Sequence, residues 1–292
     1  MIVVKLMGGL GNQLFQYACG RSLALKLKTE LVLDLDQLLD RTPRKNFVFR
    51  DFDLDLFNLN SYLILDEKIK KKNSRKLIFR RDIIEIKEDK FHYIPFKNDL
   101  KKCNIYIEGY WQSYKYFEDI QNELRKELKF RMPLSEVQLK LCEKIKKSKS
   151  VCVNFRRADF VSIPSAIETH GVPTLEYYYK AIKYLKQKVG DDIDLYVFSD
   201  DITWCQLHFK PEVNAHFVEH EIYKGDRFSS YLELMTNCDH FIIPNSTFGW
   251  WAAWLSEHSA KIVITPEKWF VDPILQSQTQ DLRPPSWITI DV

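Results

Sequence analysis

Long apolar runs are missing from this chain. No stretch is long enough for a membrane span, and only a few apolar residues precede Gly8-Gly9, too few for a signal peptide. Cysteine is present but unorganised. Cys19, Cys103, Cys142, Cys152, Cys205 and Cys238 form no Cys-x-x-Cys and no Cys/His cluster, which argues against structural zinc and fits a reduced, cytoplasmic setting. Several lie in apolar runs, where they read as small buried hydrophobes. An excess of one charge is also lacking: 43 Lys and Arg against 40 Asp and Glu leave +3, so composition proposes no nucleic-acid partner. The P-loop lysine motif is absent, which excludes an ordinary NTPase. No Ser/His/Asp or Cys/His set stands out for nucleophilic catalysis. There is no low-complexity segment and no internal repeat motif.

What remains is an ordinary globular composition. The 292 residues suffice for one large domain or two of usual size, and 45% hydrophobic with 14% aromatic residues rule out wholesale disorder. Ile2 to Met7 reads as a buried strand, broken by Gly8-Gly-Leu-Gly11. From Asn12, apolar residues recur at Leu14, Phe15, Ala18, Cys19, Leu23 and Leu27, the spacing of a helix with one buried side. Leu31 to Leu35 is the next strand. Strand, glycine turn, helix and strand open a parallel α/β sheet.

Residues 36–100 are less regular, and Lys68 to Arg81 is strongly basic. A solvated face accounts for that run; a peripheral contact with an anionic membrane surface is the sharper alternative. Asn104 to Glu108 reads as a strand, then Gly109-Tyr-Trp-Gln-Ser113. An aromatic ring beside an amide suits sugar binding, so Trp111 and Gln112 are candidates; core packing of Trp111 is the alternative. A helix is expected over 116–130. The lysine-rich stretch Lys144 to Ser150 suggests a boundary between domains at 1–145 and 146–292. Beyond it, strands at 151–155, 194–198, 213–218, 241–244 and 261–265 alternate with helices, predicting a second doubly wound sheet.

Three of those strands end in polar clusters: Asn154/Arg156/Arg157/Asp159, Ser199/Asp200/Asp201 and Asn245/Ser246/Thr247. A parallel sheet puts all three on one edge, where ligands bind. Any one alone reads equally well as a salt bridge or a cap. Together they suit a nucleotide diphosphate: arginine forks for phosphate, carboxylates for ribose or base, and a helix start for an anion. The arginines can neutralise that charge, so no metal is expected, although Asp200-Asp201 offers the alternative. In the first half, Gly9 and Gly11 match two positions of G-x-G-x-x-G, but Leu14 stands at the third. A nicotinamide or flavin site, with Asp34 or Asp36 on a ribose, is therefore an incomplete match.

Gly8-Gly-Leu-Gly-Asn-Gln-Leu-Phe-Gln-Tyr-Ala18 resembles the N-terminal signature of bacterial α-1,2-fucosyltransferases, glycosyltransferase family 11. Asn154-Phe-Arg-Arg-Ala-Asp159 is similar to that family's HxRRxD motif, shared with α-1,6-fucosyltransferases. Phe198-Ser-Asp-Asp201, Gly109-Tyr-Trp-Gln-Ser113, Thr169-His-Gly-Val172 and Asn245-Ser-Thr-Phe-Gly-Trp-Trp-Ala-Ala-Trp-Leu255 also fit. The resemblance implies an α/β protein of GT-B fold, with two facing Rossmann-like domains, parallel sheets and a site in the cleft. It implies transfer of L-fucose from GDP-β-L-fucose to a galactose-containing glycan, lipid-linked in surface polysaccharide (O-antigen) synthesis, with inversion and without a metal or other cofactor. The compartment expected is the cytoplasm or the inner face of the membrane.

By the family's motif, Arg156 would hold the β-phosphate and Asp159 would orient the arginines or the sugar. Asn154, Arg157, Ser199, Asp200, Asp201, Asn245, Ser246 and Thr247 would line the sugar donor. Asn12, Gln13, Trp111, Gln112 and His170 would meet fucose or the acceptor. Two positions depart from the pattern: the leading His is Asn154, and the usual serine before the tryptophan pair is Gly249. Asparagine cannot take up a proton near neutrality, so a positioning role is implied; a non-catalytic sugar-nucleotide or glycan-binding protein is the alternative function. The glutamate proposed as base in α-1,6 enzymes has Pro164 at the matching position. Asp159, Glu168 and His170 are the base candidates nearby, with Asp159 preferred.

Overall fold

A computed structural model describes residues 1–44, 48–59, 61–65, 83–97, 100 and 104–291, without the side chains of Ala158, Asp159, Ser165 and Ala166. The basic run Lys68 to Arg81 and Cys103 lie outside the described residues. The chain forms two compact units. One comprises Met1–Arg131 with Gln278–Arg283, the other Met132–Ser277 with Pro284–Val292. The division falls before the lysine-rich stretch rather than in it. The helix Glu136–Lys147 carries those lysines on its outer side and buries Gln138, Cys142 and Ile145 within the second unit. A polar surface marks a helix face as readily as a linker, which is why composition misplaced the boundary.

The first unit holds β1 (Ile2–Lys5), β2 (Leu31–Asp34), β3 (Leu63–Ile64), β4 (Ile83–Lys87) and β5 (Asn104–Glu108) in the order β3-β2-β1-β5-β4. Every pairing in it is parallel. The chain winds outward from β1 through β2 to β3, then returns to the other side of β1. The order therefore reverses between β1 and β5. The helix Leu10–Leu27 covers the sheet and buries Leu14, Phe15, Ala18, Cys19 and Leu23, as the spacing predicts, with Leu27 half-buried. Gln13, Gln16 and Tyr17 are buried too, so its first half is enclosed nearly all round rather than on one side. Where one long helix is expected over 116–130, there are two short 3-10 turns and a helix at Gln121–Glu127. Tyr114, Tyr116 and Phe117 pack inward there, and the aromatic residues set the local geometry instead of helical spacing.

The second unit holds β6 (Ser150–Phe155), β7 (Asp194–Ser199), β8 (Ala215–Phe217), β9 (His240–Ile242), β10 (Val263–Pro266) and β11 (Ile288–Ile290) in the order β11-β10-β9-β6-β7-β8. All five pairings are parallel. The sheet has one more strand than the pattern predicts. β11 is a short edge strand whose half-buried Ile288 and Ile290 pack on the core, too brief for periodicity to mark. Here the order reverses at β6, with β7 on one side and β9 on the other. The core is built by Val151, Val153, Leu195, Val197, Ile242 and Ile264 from the strands, and Tyr177, Tyr178, Ala181 and Leu185 from the helix Leu175–Val189. The helix Thr247–Leu255 is apolar all round and buries Trp250, Trp251 and Trp254, as a helix enclosed within a unit must be. Each unit is thus a parallel-sheet α/β domain, as the GT-B class requires of its two halves.

Candidate active site

The reversal at β6 is where a doubly wound sheet opens a crevice beyond its carboxyl ends. β6 runs out at Phe155 and delivers Arg156 and Arg157; β7 runs out at Ser199 and delivers Asp200 and Asp201. The register pairs Phe155 with Ser199, so the two clusters leave the sheet side by side. Arg156 Nη1 meets Asp200 Oδ2 at 2.6 Å. The other oxygen of Asp200 accepts the backbone N–H of Arg157 at 2.8 Å. One carboxylate therefore fixes both the first guanidinium and the turn that follows it.

The two arginines then part. Arg157 lies with its guanidinium 3.5 Å from the centre of the Trp204 ring and its Nε 3.3 Å from Asp201 Oδ2. A cation stacked on an indole and held by a carboxylate is well anchored. Asp201 also caps the helix Ile202–His208 by accepting from Trp204 N–H. Arg157, Asp201 and Trp204 form one packed group, and Arg156 with Asp200 forms the pair at the strand edge.

Asn154, Ser199, Asn245 and Ser246 are buried, and Thr247 is half-buried. Asn154 is 5% exposed, and its Nδ2 donates to the Phe198 carbonyl at 3.1 Å. Ser199 Oγ accepts the Asp201 N–H at 2.9 Å, while the Tyr231 hydroxyl accepts the Ser199 N–H and donates back to the Ser199 and Val218 carbonyls. Burial pushes the Tyr231 phenol far up, so it stays a neutral donor. Asn245 Nδ2 donates to the His170 and Trp269 carbonyls at 2.8 and 3.1 Å, and its Oδ1 is buried with no partner among the described residues. Ser246 is the N-cap residue of the helix that Thr247 opens, without a side-chain cap bond. The amides of Asn154 and Asn245 and the hydroxyl of Ser199 thus hold the strand ends and neighbouring loops. His170 stacks on Phe160 at 4.7 Å and nearly parallel, with Phe270 beyond it. Asp159 sits in the short helix Ala158–Ser162, with its side chain outside the described residues.

The first unit has a matching edge where β1 and β5 meet. Gly8 has φ +79°, and a Cβ there would overlap the Asn12 carboxamide. Only glycine gives both that backbone and that space. The turn sets Asn12 in the first turn of its helix, where Asn12 Oδ1 accepts from Gln112 Nε2 at 2.9 Å. Gln13 is fully buried. Its Nε2 donates to the Gly8 and Asp51 carbonyls and its Oε1 accepts the Asp53 N–H at 2.9 Å. All three bonds are internal and clamp the Gly8 turn to the loop at 51–53. Trp111 is 3% exposed and packs on Phe96 and Tyr116. Its ring belongs to the core, the alternative reading of that position. Asp34 accepts from Tyr106 Oη at 2.7 Å and from the Asp36 N–H, so it is engaged away from the ribose role a nicotinamide site would require.

Two residues here carry no expectation from sequence. Gln16 accepts the Met7 N–H and donates to the Gly109 carbonyl, tying the end of β1 to the end of β5. It stands inside the N-terminal signature, which was the available signal. Glu88 accepts the N–H groups of Tyr110 and Trp111 at 2.6 and 2.9 Å. Those bonds hold a turn in which Trp111 has φ +55°, a strained value for a bulky residue. Burial outweighs both bonds and pushes the Glu88 carboxyl up to about 7. No local pattern marks Glu88, because its partners lie on the next strand's loop. Among the described residues no group of three His, Cys, Asp or Glu side chains is placed to hold a metal ion.

The geometry defines a doubly wound α/β protein with an anion-suited strand edge in its second unit and an amide-rich edge in its first. The chain belongs to glycosyl transferase family 11, whose profile matches residues 1–291. It is 31% identical to an alpha-1,2-colitosyltransferase of Escherichia coli, over all of this chain and 99% of the relative. It is 33% identical to the O-antigen biosynthesis glycosyltransferase WbnK of Escherichia coli, over 98% of this chain and 99% of that one. Among solved structures, NodZ alpha-1,6-fucosyltransferase soaked with GDP-fucose matches with a TM-score of 0.47 at 16% identity, over 87% of this chain and 91% of that chain.

Proposed function

We propose that this protein is an inverting galactoside α-1,2-fucosyltransferase that moves L-fucose from GDP-β-L-fucose to a galactoside hydroxyl in surface-polysaccharide synthesis. The observation that carries the reading is the Arg156–Asp200 pair beside the β6 reversal, in a chain whose family is glycosyl transferase 11. Arg156 leaves Asp200, or shares it, to meet the β-phosphate of the sugar nucleotide. The acceptor oxygen attacks the anomeric carbon from the side opposite GDP. The bond to the β-phosphate oxygen breaks, its electrons go to the diphosphate, and Arg156 stabilises that charge. The acceptor proton passes to a base, for which Asp159 is the candidate. Asn12 and Gln112 are the proposed contacts to fucose or the acceptor, and no metal takes part.

A second reading concerns the sugar. The likeness to an alpha-1,2-colitosyltransferase supports a colitosyl donor on the same machinery. No helix among the described residues is long and apolar enough to cross a membrane. The proposed setting is the cytoplasm or the inner membrane face, where a lipid-linked acceptor is reached.

The test is release of GDP from GDP-fucose and GDP-colitose over a panel of galactosides, with the linkage read by NMR and EDTA as a control. Consumption of GDP-fucose with an α-1,2 product, unchanged by EDTA, is expected. Consumption of the colitosyl donor alone selects the second reading. GDP binding in a calorimeter without turnover of either donor selects a non-catalytic binding protein instead.

A further inference from the structure

Gly249 is the third residue of the helix Thr247–Leu255. What distinguishes it is the occupant of the space where its side chain would be. A Cβ built there would stand 2.7 Å from Asn154 Oδ1 and 3.2 Å from Ile243 Cβ. The first separation is well inside the carbon–oxygen contact distance. Asn154 has little room to retreat. It is buried, its Nδ2 is engaged on the Phe198 carbonyl, and its own carbonyl accepts the Tyr178 hydroxyl at 3.0 Å. β6 pairs with β7 so that Asn154 stands opposite Phe198. The carboxamide is therefore wedged between a helix on one side and a neighbouring strand on the other.

We propose that Asn154 and Gly249 form one positioning unit. The missing side chain at Gly249 admits the Asn154 carboxamide, and the carboxamide, held on Phe198, sets the spacing of the strand ends that carry Arg156 and Asp200. The proposal rests on the reading of that pair as the diphosphate contact. Arg156 follows Asn154 by two residues and Asp200 follows Phe198 by two. The Arg156–Asp200 contact at 2.6 Å and the Arg157 N–H to Asp200 bond at 2.8 Å thus bridge the same two strands as the Asn154 amide. A carboxamide pushed off Phe198 leaves the buried Asn154 Nδ2 donor without that partner and removes a tie between the two strand ends. Asn154 and Gly249 are also the two positions at which the chain departs from the family pattern. Their contact makes the two departures a single change in packing: an amide in the strand needs the absence of a side chain in the helix.

The test is a double-mutant cycle with Gly249→Ala, Asn154→Ala and both together, read by urea unfolding and by calorimetric GDP binding well below the melting temperature. Gly249→Ala is expected to weaken GDP binding about tenfold in the native background and less than about twofold in the Asn154→Ala background. The Ile243 contact and the gain in helix propensity from alanine are common to both backgrounds and cancel. Asn154→Ala alone is expected to weaken GDP binding by about tenfold, which a residue serving stability alone would leave unchanged in folded protein. Equal penalties for Gly249→Ala in both backgrounds, or no penalty in the native one, overturn the proposal. Absence of GDP binding by the native protein defeats the diphosphate reading and with it the positioning role. The unfolding cycle then still decides whether the two residues are coupled.

Discussion

Arg156 and Arg157 are adjacent in the chain and divergent in use. Arg157 is held by a tryptophan face and a carboxylate, whereas Arg156 is paired with Asp200 at the strand edge. Their replacement therefore has different consequences. Arg156→Ala should leave the unfolding midpoint almost unchanged and lower kcat by about 100-fold or more, since in the proposed reaction it removes the cation assigned to the leaving diphosphate. Near-normal transfer by that variant would remove Arg156 from the reaction. Glu88 yields a pH prediction. Its carboxyl is raised from 4.5 to about 7 by burial, so the folded protein keeps a proton that the unfolded chain releases. That contribution to stability is full below about pH 4.5 and is lost as pH rises toward 7 and beyond. The urea midpoint should accordingly fall between pH 5 and pH 8, and Glu88→Gln should flatten that slope. An unchanged slope in the variant would assign the pH dependence to other groups.

Strand ends and the turns that leave them carry the site in both units. In the first, the Gly8 turn, Asn12, Gln16 and the loop after β5 are interlocked by side-chain amides on main-chain groups. Gln16→Ala leaves the Met7 N–H and the Gly109 carbonyl without their partner, a cost of about 1–3 kcal/mol for each buried group. Gly8→Ala forces a side chain into the Asn12 carboxamide at φ +79°. It should destabilise by more than about 1 kcal/mol and reduce transfer by raising KM for the acceptor, if Asn12 is a sugar contact. An unaltered acceptor KM in a folded Gly8→Ala protein would free Asn12 of that role. Much of this was legible beforehand. All five strands expected in the second half, and the glycine turn in the first, lie where apolar runs and glycine put them. β11 and the short helices after Ser113 were not legible, because an edge strand of three residues and a run of packed aromatics have no periodicity of their own.

Taken together, the protein is two parallel-sheet α/β domains, each with polar residues gathered where its strand order reverses. Binding to the folded form alone raises stability, so GDP at a hundred times its Kd should stabilise the protein by about 2.7 kcal/mol. Nicotinamide dinucleotides should not, because Asp34 is engaged by Tyr106 and Asp36. Thermal melts with each ligand check this, and a larger shift from the nicotinamide cofactor would revive the incomplete glycine fingerprint.

Sequence by itself determined the class of fold, the family and which strand ends carry polar clusters. Those properties reside in short stretches: an apolar run makes a strand, a glycine breaks it, and a motif such as Asn154 to Asp159 is read whole from one segment. The tertiary structure alone decided what each polar side chain does. Gln13 and Trp111 are buried, Arg157 turns to Trp204, Glu88 clamps a loop, and Asn154 occupies the room left at Gly249. A polar side chain takes the partners that remain once the backbone has packed, and those partners come from segments distant in the chain.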